Sequence, residues 1–178
     1  MRFQLSVSAT QFLRAVPMFE SLSADELAEM ARLAQGRELA PGDLLFSQGG
    51  PGDGMFILDR GEVCVSTVGP DGGSVTLAYL GNGAVIGEMS LLDGSPRSAS
   101  VEAVAPTSGY WVSRAEFGAL RRQGSPAACK VLLQLARMLE QRRRAGVQRI
   151  RNILSDPARR PAALDDTLER LIVPVRWT

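Results

Sequence analysis

The residues with most chemistry between them lie in one short run, Ile86-Gly87-Glu88-Met89-Ser90-Leu91-Leu92-Asp93-Gly94-Ser95-Pro96-Arg97-Ser98-Ala99-Ser100-Val101. Gly87 lets the backbone come close to another group. Ser90-Leu91-Leu92 can make one helical turn whose N–H groups attract an anion. Arg97, flanked by Pro96 and small residues, is a cation with its fork unobstructed. An Arg plus backbone N–H groups is a phosphate site of ordinary construction. Glu88 would repel a phosphate, unless it accepts hydrogen bonds from hydroxyls on the same ligand, as the acidic residue of dinucleotide sites does with ribose. Phosphate on one side and a diol on the other describe a nucleotide. The competing reading is a structural ion pair between Glu88 and Arg97 in a loop of an unrelated barrel.

The rest of the composition narrows the chemistry by exclusion. No histidine occurs in the 178 residues, and histidine is the commonest metal ligand and the commonest general base at neutral pH. A Ser-His-Asp hydrolase is excluded, and so is a small-barrel metalloenzyme whose metal is held by imidazoles. Cys64 and Cys129, the two cysteines, sit in a strand-like and a helix-like run and read as small buried hydrophobes. No catalytic residue, metal or cofactor is expected. Twenty basic against nineteen acidic residues leave a net charge of +1, so nothing in the bulk charge calls for nucleic acid or a membrane. The N-terminal run lacks an apolar signal core, and no long apolar stretch is free of charge, which places the protein in the cytoplasm.

Positioning this loop falls to a mainly β fold with flanking helices. Residues 11 to 35 carry helical signals, with a capping box at Ser23-Ala24-Asp25-Glu26, an apolar stripe from Leu27 and a stop at Gly36. From Glu38 to Val112 short period-two runs alternate with glycine-rich turns, as in an all-β sandwich or barrel. The runs are 44–46, 55–58, 62–68, 74–80, 101–104 and 110–112. Gly69-Pro70-Asp71-Gly72-Gly73 reads as a hairpin loop joining antiparallel neighbours. A second capping box at Ser113 to Glu116 opens a short helix through Arg122. After a break at Gly124-Ser125-Pro126, a long helix runs to Leu154. Its early stripe, Ala128, Leu132, Leu135 and Leu139, is spaced like a coiled-coil seam.

The run from Ile86 to Val101 resembles the phosphate-binding cassette of the cyclic nucleotide-binding domain family. The likeness extends over roughly Phe12 to Leu154. Residues 48–63, Gln48-Gly49-Gly50-Pro51-Gly52-Asp53-Gly54 and onward, are similar to the family's glycine-punctuated second motif, with Gly50 where an acidic residue is common. The resemblance implies an antiparallel jelly-roll-like β-barrel with an N-terminal helix and a long C-terminal helix. It implies that Glu88 accepts from the ribose 2′-OH. It further implies that Arg97 pairs with the cyclic phosphate, helped by N–H groups of Ser90 and Ala99 beside Gly87 and Met89. Ile86, Leu77 and Val85 would line the base pocket, and Asp53 would orient Arg97. Ser98, directly after the arginine, could reach the exocyclic amine of guanine, yet serine also occurs there in cyclic AMP receptors. Family frequency favours cyclic AMP over cyclic GMP.

Three segments are expected: a cyclic nucleotide-binding barrel over 1–124, a lid or dimerisation helix over 125–154, and a tail of unknown role over 155–178. Ligand binding would let the C-terminal helix cover the base and signal through a partner protein. The seam over 128–139 either lies on its own barrel or pairs with a second copy. Arg142 and Arg143 fall where the family places base-contacting residues, though a solvated helix face explains them as well. The stretch 142–160 holds seven arginines against Asp156, but the residues after Leu154 are too few for three helices and a wing. An atypical transcription regulator of the catabolite activator type, its DNA-binding domain lost or truncated, is the alternative to a stand-alone sensor. Turnover of the nucleotide is the weakest of the three readings.

Overall fold

A computed structural model of the chain describes residues 9–155. Residues 9–14 are helical, a 3-10 turn follows at Pro17–Phe19, and helix α1 spans Ala24–Leu33. Ser23 caps α1 as its spacing requires. Its hydroxyl accepts from the Glu26 N–H at 3.3 Å while the Glu26 carboxylate accepts from the Ser23 N–H at 2.7 Å.

Eight strands follow: β1 (Ala34–Leu39), β2 (Leu44–Phe46), β3 (Gly54–Arg60), β4 (Val63–Val68), β5 (Ser74–Leu80), β6 (Val85–Ile86), β7 (Ser100–Ala103) and β8 (Thr107–Ser113). Helix α2 (Met89–Asp93) lies between β6 and β7, and α3 (Arg114–Arg122) and α4 (Pro126–Ser155) follow β8. The strands form two four-stranded sheets, ordered β1-β8-β3-β6 and β2-β7-β4-β5, and every pairing is antiparallel. This is the antiparallel, jelly-roll-like architecture that the resemblance implies, and it agrees with the sandwich or barrel read from the glycine-spaced runs.

The core between the sheets is Phe46, Phe56, Leu58, Val63, Ile86, Val101 and Trp111. Phe56 and Leu58 alternate inward, yet Met55 and Ile57, on the opposite face of β3, are also fully buried. Helical elements cover that second face: α1 and α3 both touch β8, and Phe12 stacks on Tyr110 with ring centroids 5.3 Å apart. β3 therefore reads as a continuous apolar run. The β5 edge has no such cover, and Val75, Leu77 and Tyr79 along it are exposed.

Two expectations are corrected. Gly36 does not stop the first helix: α1 ends at Leu33, and Gly36 sits inside β1 opposite Tyr110. Ladder pairing with β8 overrides the helical propensity of Ala34 and Gln35. The buried stripe of α4 is also displaced from the expected seam, running through Ala127, Ala128, Val131, Gln134 and Leu135 with Leu132 and Leu139 half-buried. The start of α4 is tied to α1, where Ser125 Oγ donates to Glu29 at 2.6 Å and Lys130 Nζ to Glu26 at 2.7 Å. Those ties fix which face turns inward.

By contacts the chain divides into one unit ending at Leu135 and a second beginning at Ala136. The expected tail, 155–178, lies outside the described residues apart from Ser155. No helix among the described residues is long and apolar enough to cross a membrane.

Candidate functional site

Arg97 leaves the connection between α2 and β7 with its backbone locked to the glycine-rich loop. Its N–H donates to the Gly50 carbonyl at 3.0 Å and its carbonyl accepts from the Gly49 N–H at 2.8 Å. Gly50 thus acts through its main chain, and the acidic side chain common at that position is not needed for this contact. A neighbouring tie, Gln48 N–H to Ser100 Oγ at 3.0 Å, holds the start of β7 to the same loop.

The guanidinium turns inward and is 4% exposed. Nη1 donates to the Gly87 carbonyl and to Ser90 Oγ, each at 3.2 Å, and Nη2 donates to Asp53 Oδ1 at 2.8 Å. The planar group lies over the Phe46 ring, 3.7 Å from its centroid, and 5.8 Å from that of Trp111. Burial pushes the Arg97 guanidinium below its usual range, with the hydrogen bond and charge of Asp53 acting the other way. Nε is buried and has no hydrogen-bond partner among the described residues.

A buried donor without an acceptor is costly, and more so on a cation. A guanidinium has five donors, and the protein supplies acceptors for three of them. Such a group fits an anion with several lone pairs, as an equatorial phosphate oxygen offers.

Gly87 is fixed in this place by two constraints. Its φ is +77°, and a Cβ there would fall on Arg97 Nη1 and press on the Phe46 ring. Glu88 is 5% exposed at the entry to α2, and Ser90 is 4% exposed within it. Gly94, in the left-handed region, closes that short helix by donating to the Ser90 carbonyl at 3.0 Å.

The structure therefore gathers Gly87, Ser90, Arg97 and Asp53 around one cation, with Glu88 next in sequence. Ile86 faces the core between the sheets. Val85 is buried too, but successive strand residues point to opposite faces. Leu77 is 57% exposed on β5 and Met89 is 50% exposed; Ser98 is exposed and Ala99 half-buried. Arg142 and Arg143 are exposed on α4 in the second unit, where Arg143 forks onto Glu140 at 2.7 and 2.9 Å.

Three residues that the motif reading passed over complete the site. Phe46 and Trp111 form the aromatic floor, and Arg37 of β1 stacks on Trp111 at 4.2 Å from its centroid. Arg37, Ser47, Asp53 and Arg97 border a cavity of about 150 Å³ over that floor. No spacing rule links residues so far apart in sequence. Among the described residues no group of His, Cys, Asp and Glu could hold a metal ion.

A cyclic nucleotide-binding domain profile matches residues 36–123. The chain is similar to a cyclic nucleotide-binding domain from Methylobacillus flagellatus KT, with 32% identity, 83% of each chain covered and a TM-score of 0.71. It is similar to the Thermus thermophilus catabolite activator protein, with 33% identity, 78% of this chain and 63% of that one covered, and a TM-score of 0.68. It is 37% identical to a cyclic nucleotide-gated potassium channel of Mesorhizobium japonicum over 60% of this chain, but spans only 28% of that protein. Profile, fold and the buried arginine with its glycine-lined approach agree: the chain belongs to the cyclic nucleotide-binding domain family.

Proposed function

We propose that the chain is a non-catalytic sensor of a cyclic nucleotide, with cyclic AMP preferred to cyclic GMP. The observation that carries this reading is the buried Arg97 guanidinium, held by Gly87, Ser90 and Asp53 with Nε lacking an acceptor. In the bound state Arg97 and the N–H groups of Ser90 and Ala99 take the cyclic phosphate, and Glu88 takes the ribose hydroxyl. Leu77, on the exposed edge of β5, and Ile86 serve the base, and Ser98 sits beside it. Binding of the phosphodiester without cleavage is part of this proposal, on the ground that the 178 residues hold no histidine from which to build a hydrolytic metal site.

The output is a shift in the C-terminal helix read by a protein partner. The binding domain then takes in 1–124, the helix 125–154 is the moving part, and 155–178 is a tail. Relatives include a cyclic nucleotide-gated potassium channel and a cyclic AMP-dependent kinase regulatory subunit, which supports a regulatory role beside some effector. Pairing of two copies through 128–139 would draw on Leu132, Leu133 and Leu139, because Ala128 and Leu135 are spent on the chain's own core.

The test is isothermal titration with cyclic AMP and cyclic GMP. Saturable binding, tighter for cyclic AMP, is expected. A tenfold preference for cyclic GMP, about 1.4 kcal/mol, reverses the ligand assignment, and no binding of either at millimolar concentration removes the function.

A further inference from the structure

A second cleft, about 440 Å³ in volume, lies between α2 and α3 and shares Asp53 and Trp111 with the Arg97 cavity. That is within the range of small-molecule pockets, about 300–1,000 Å³. Arg114, Arg121 and Arg122 line it, and Asp53 is its one acidic lining residue. All three arginines are exposed, and none forms an ion pair among the described residues.

The arginines share one face of α3, at i, i+7 and i+8, with Ala115 and Gly118 between them. Arg114 opens the helix and Arg121 and Arg122 close it, with the small residues Ala115 and Gly118 lining the cleft between them in sequence. Arg122 folds back along the helix, its Nη1 3.4 Å from where a Cβ on Gly118 would lie, and Arg114 lies against Gly94 at the end of α2. Asp93, close to Arg114, is committed to Ser95, accepting from its N–H at 2.9 Å and its hydroxyl at 2.6 Å. Asp53 is committed to Arg97.

Three separated forks, each suited to two oxygens of a phosphoryl group, ask for a ligand with more than one phosphate. We propose that the cleft between α2 and α3 binds an oligophosphate chain, either free or as the tail of a nucleoside polyphosphate. This site has none of the arginines of the Arg97 cavity, though it shares Asp53 and Trp111 with it, and it stands whether or not that cavity takes a cyclic nucleotide.

Isothermal titration of the chain with inorganic tripolyphosphate, cyclic nucleotide absent, tests it. One equivalent should bind with a submillimolar dissociation constant. The double variant Arg121→Gln/Arg122→Gln, on exposed positions whose fold circular dichroism checks, should weaken that binding by about tenfold or more. Arg60→Gln, at an exposed arginine that does not line the cleft, should leave it within about twofold. Equal binding of tripolyphosphate and adenosine triphosphate assigns recognition to the phosphate chain, and tighter binding of the nucleotide adds its base; both outcomes support the site. No binding at millimolar concentration, binding that survives the double variant, or binding lost with Arg60→Gln overturns it.

Discussion

Arg97 and Asp53 form an unequal pair: Nη2 and Oδ1 are 2.8 Å apart, but one side chain is 4% exposed and the other 62%. Water can replace Arg97 for Asp53, whereas nothing replaces a ligand oxygen for the buried Nε. The worth of the pair therefore lies in aiming the cation. Arg97→Lys, which keeps the charge and loses the planar fork, should lower cyclic nucleotide affinity by about 1.5–3 kcal/mol, the value of a charge-assisted hydrogen bond. Asp53→Asn should cost only a few-fold, because the amide oxygen still accepts from Nη2. Calorimetric titration reads both, and wild-type affinity in Arg97→Lys would mean that the guanidinium is not the phosphate ligand.

Gly87→Ala should fail twice over. At φ +77° an alanine carries strain of about 1–2 kcal/mol, and its methyl occupies the place of Arg97 Nη1. Denaturant unfolding should show a loss of at least that strain, and titration a weaker ligand. A variant as stable and as tight-binding as the wild type would show that Arg97 has free room to move away.

What the sequence disclosed depended on how local the signal was. β5 was legible because its run alternates and Gly69 to Gly73 closes a hairpin; Gly69 N–H donates to the Gly73 carbonyl at 2.7 Å. The cassette was legible because its glycine, acidic residue and arginine recur at fixed spacing. β6 was missed because two residues have no period. β1 was hidden because its central residues are exposed and what makes it a strand is its pairing with β8, far along the chain. Counting leucines gave a seam on α4, while the face that is buried begins with Ala127 and Ala128, whose small side chains mark close approach. The Phe46 and Trp111 floor could not be read at all, since it exists only when the two sheets face each other.

That floor has its own test. Phe46→Leu keeps an apolar core residue and removes the ring beneath Arg97, so about 0.5–2 kcal/mol of cation–π attraction is lost with it. Ligand affinity should fall further than in Val63→Ala, a control in the same core cluster at a residue outside the candidate ligand site. Thermal unfolding of both variants corrects for their stability. Equal affinities in the two would leave the ring a mere filler of the core.

Glu140 offers a test in the second unit. Its carboxylate receives Arg143 Nε at 2.7 Å and Arg144 Nε at 2.6 Å. The hydrogen bonds from Arg143 and then Arg144, followed by their charges, hold it down from 4.5 to about 2. A carboxylate with a depressed folded value stabilises the helix above its unfolded value and loses that contribution as pH falls through its folded one. The helix from Ala136 onward should therefore keep these contacts at pH 4.5 and weaken between there and about pH 2. Carbon-detected NMR titration of the Glu140 carboxylate should give a midpoint near the lower value, moving up in Arg143→Gln. A midpoint near 4.5 in the wild type would mean that the two arginines are in water, leaving Arg143 free of the acid that now holds its fork.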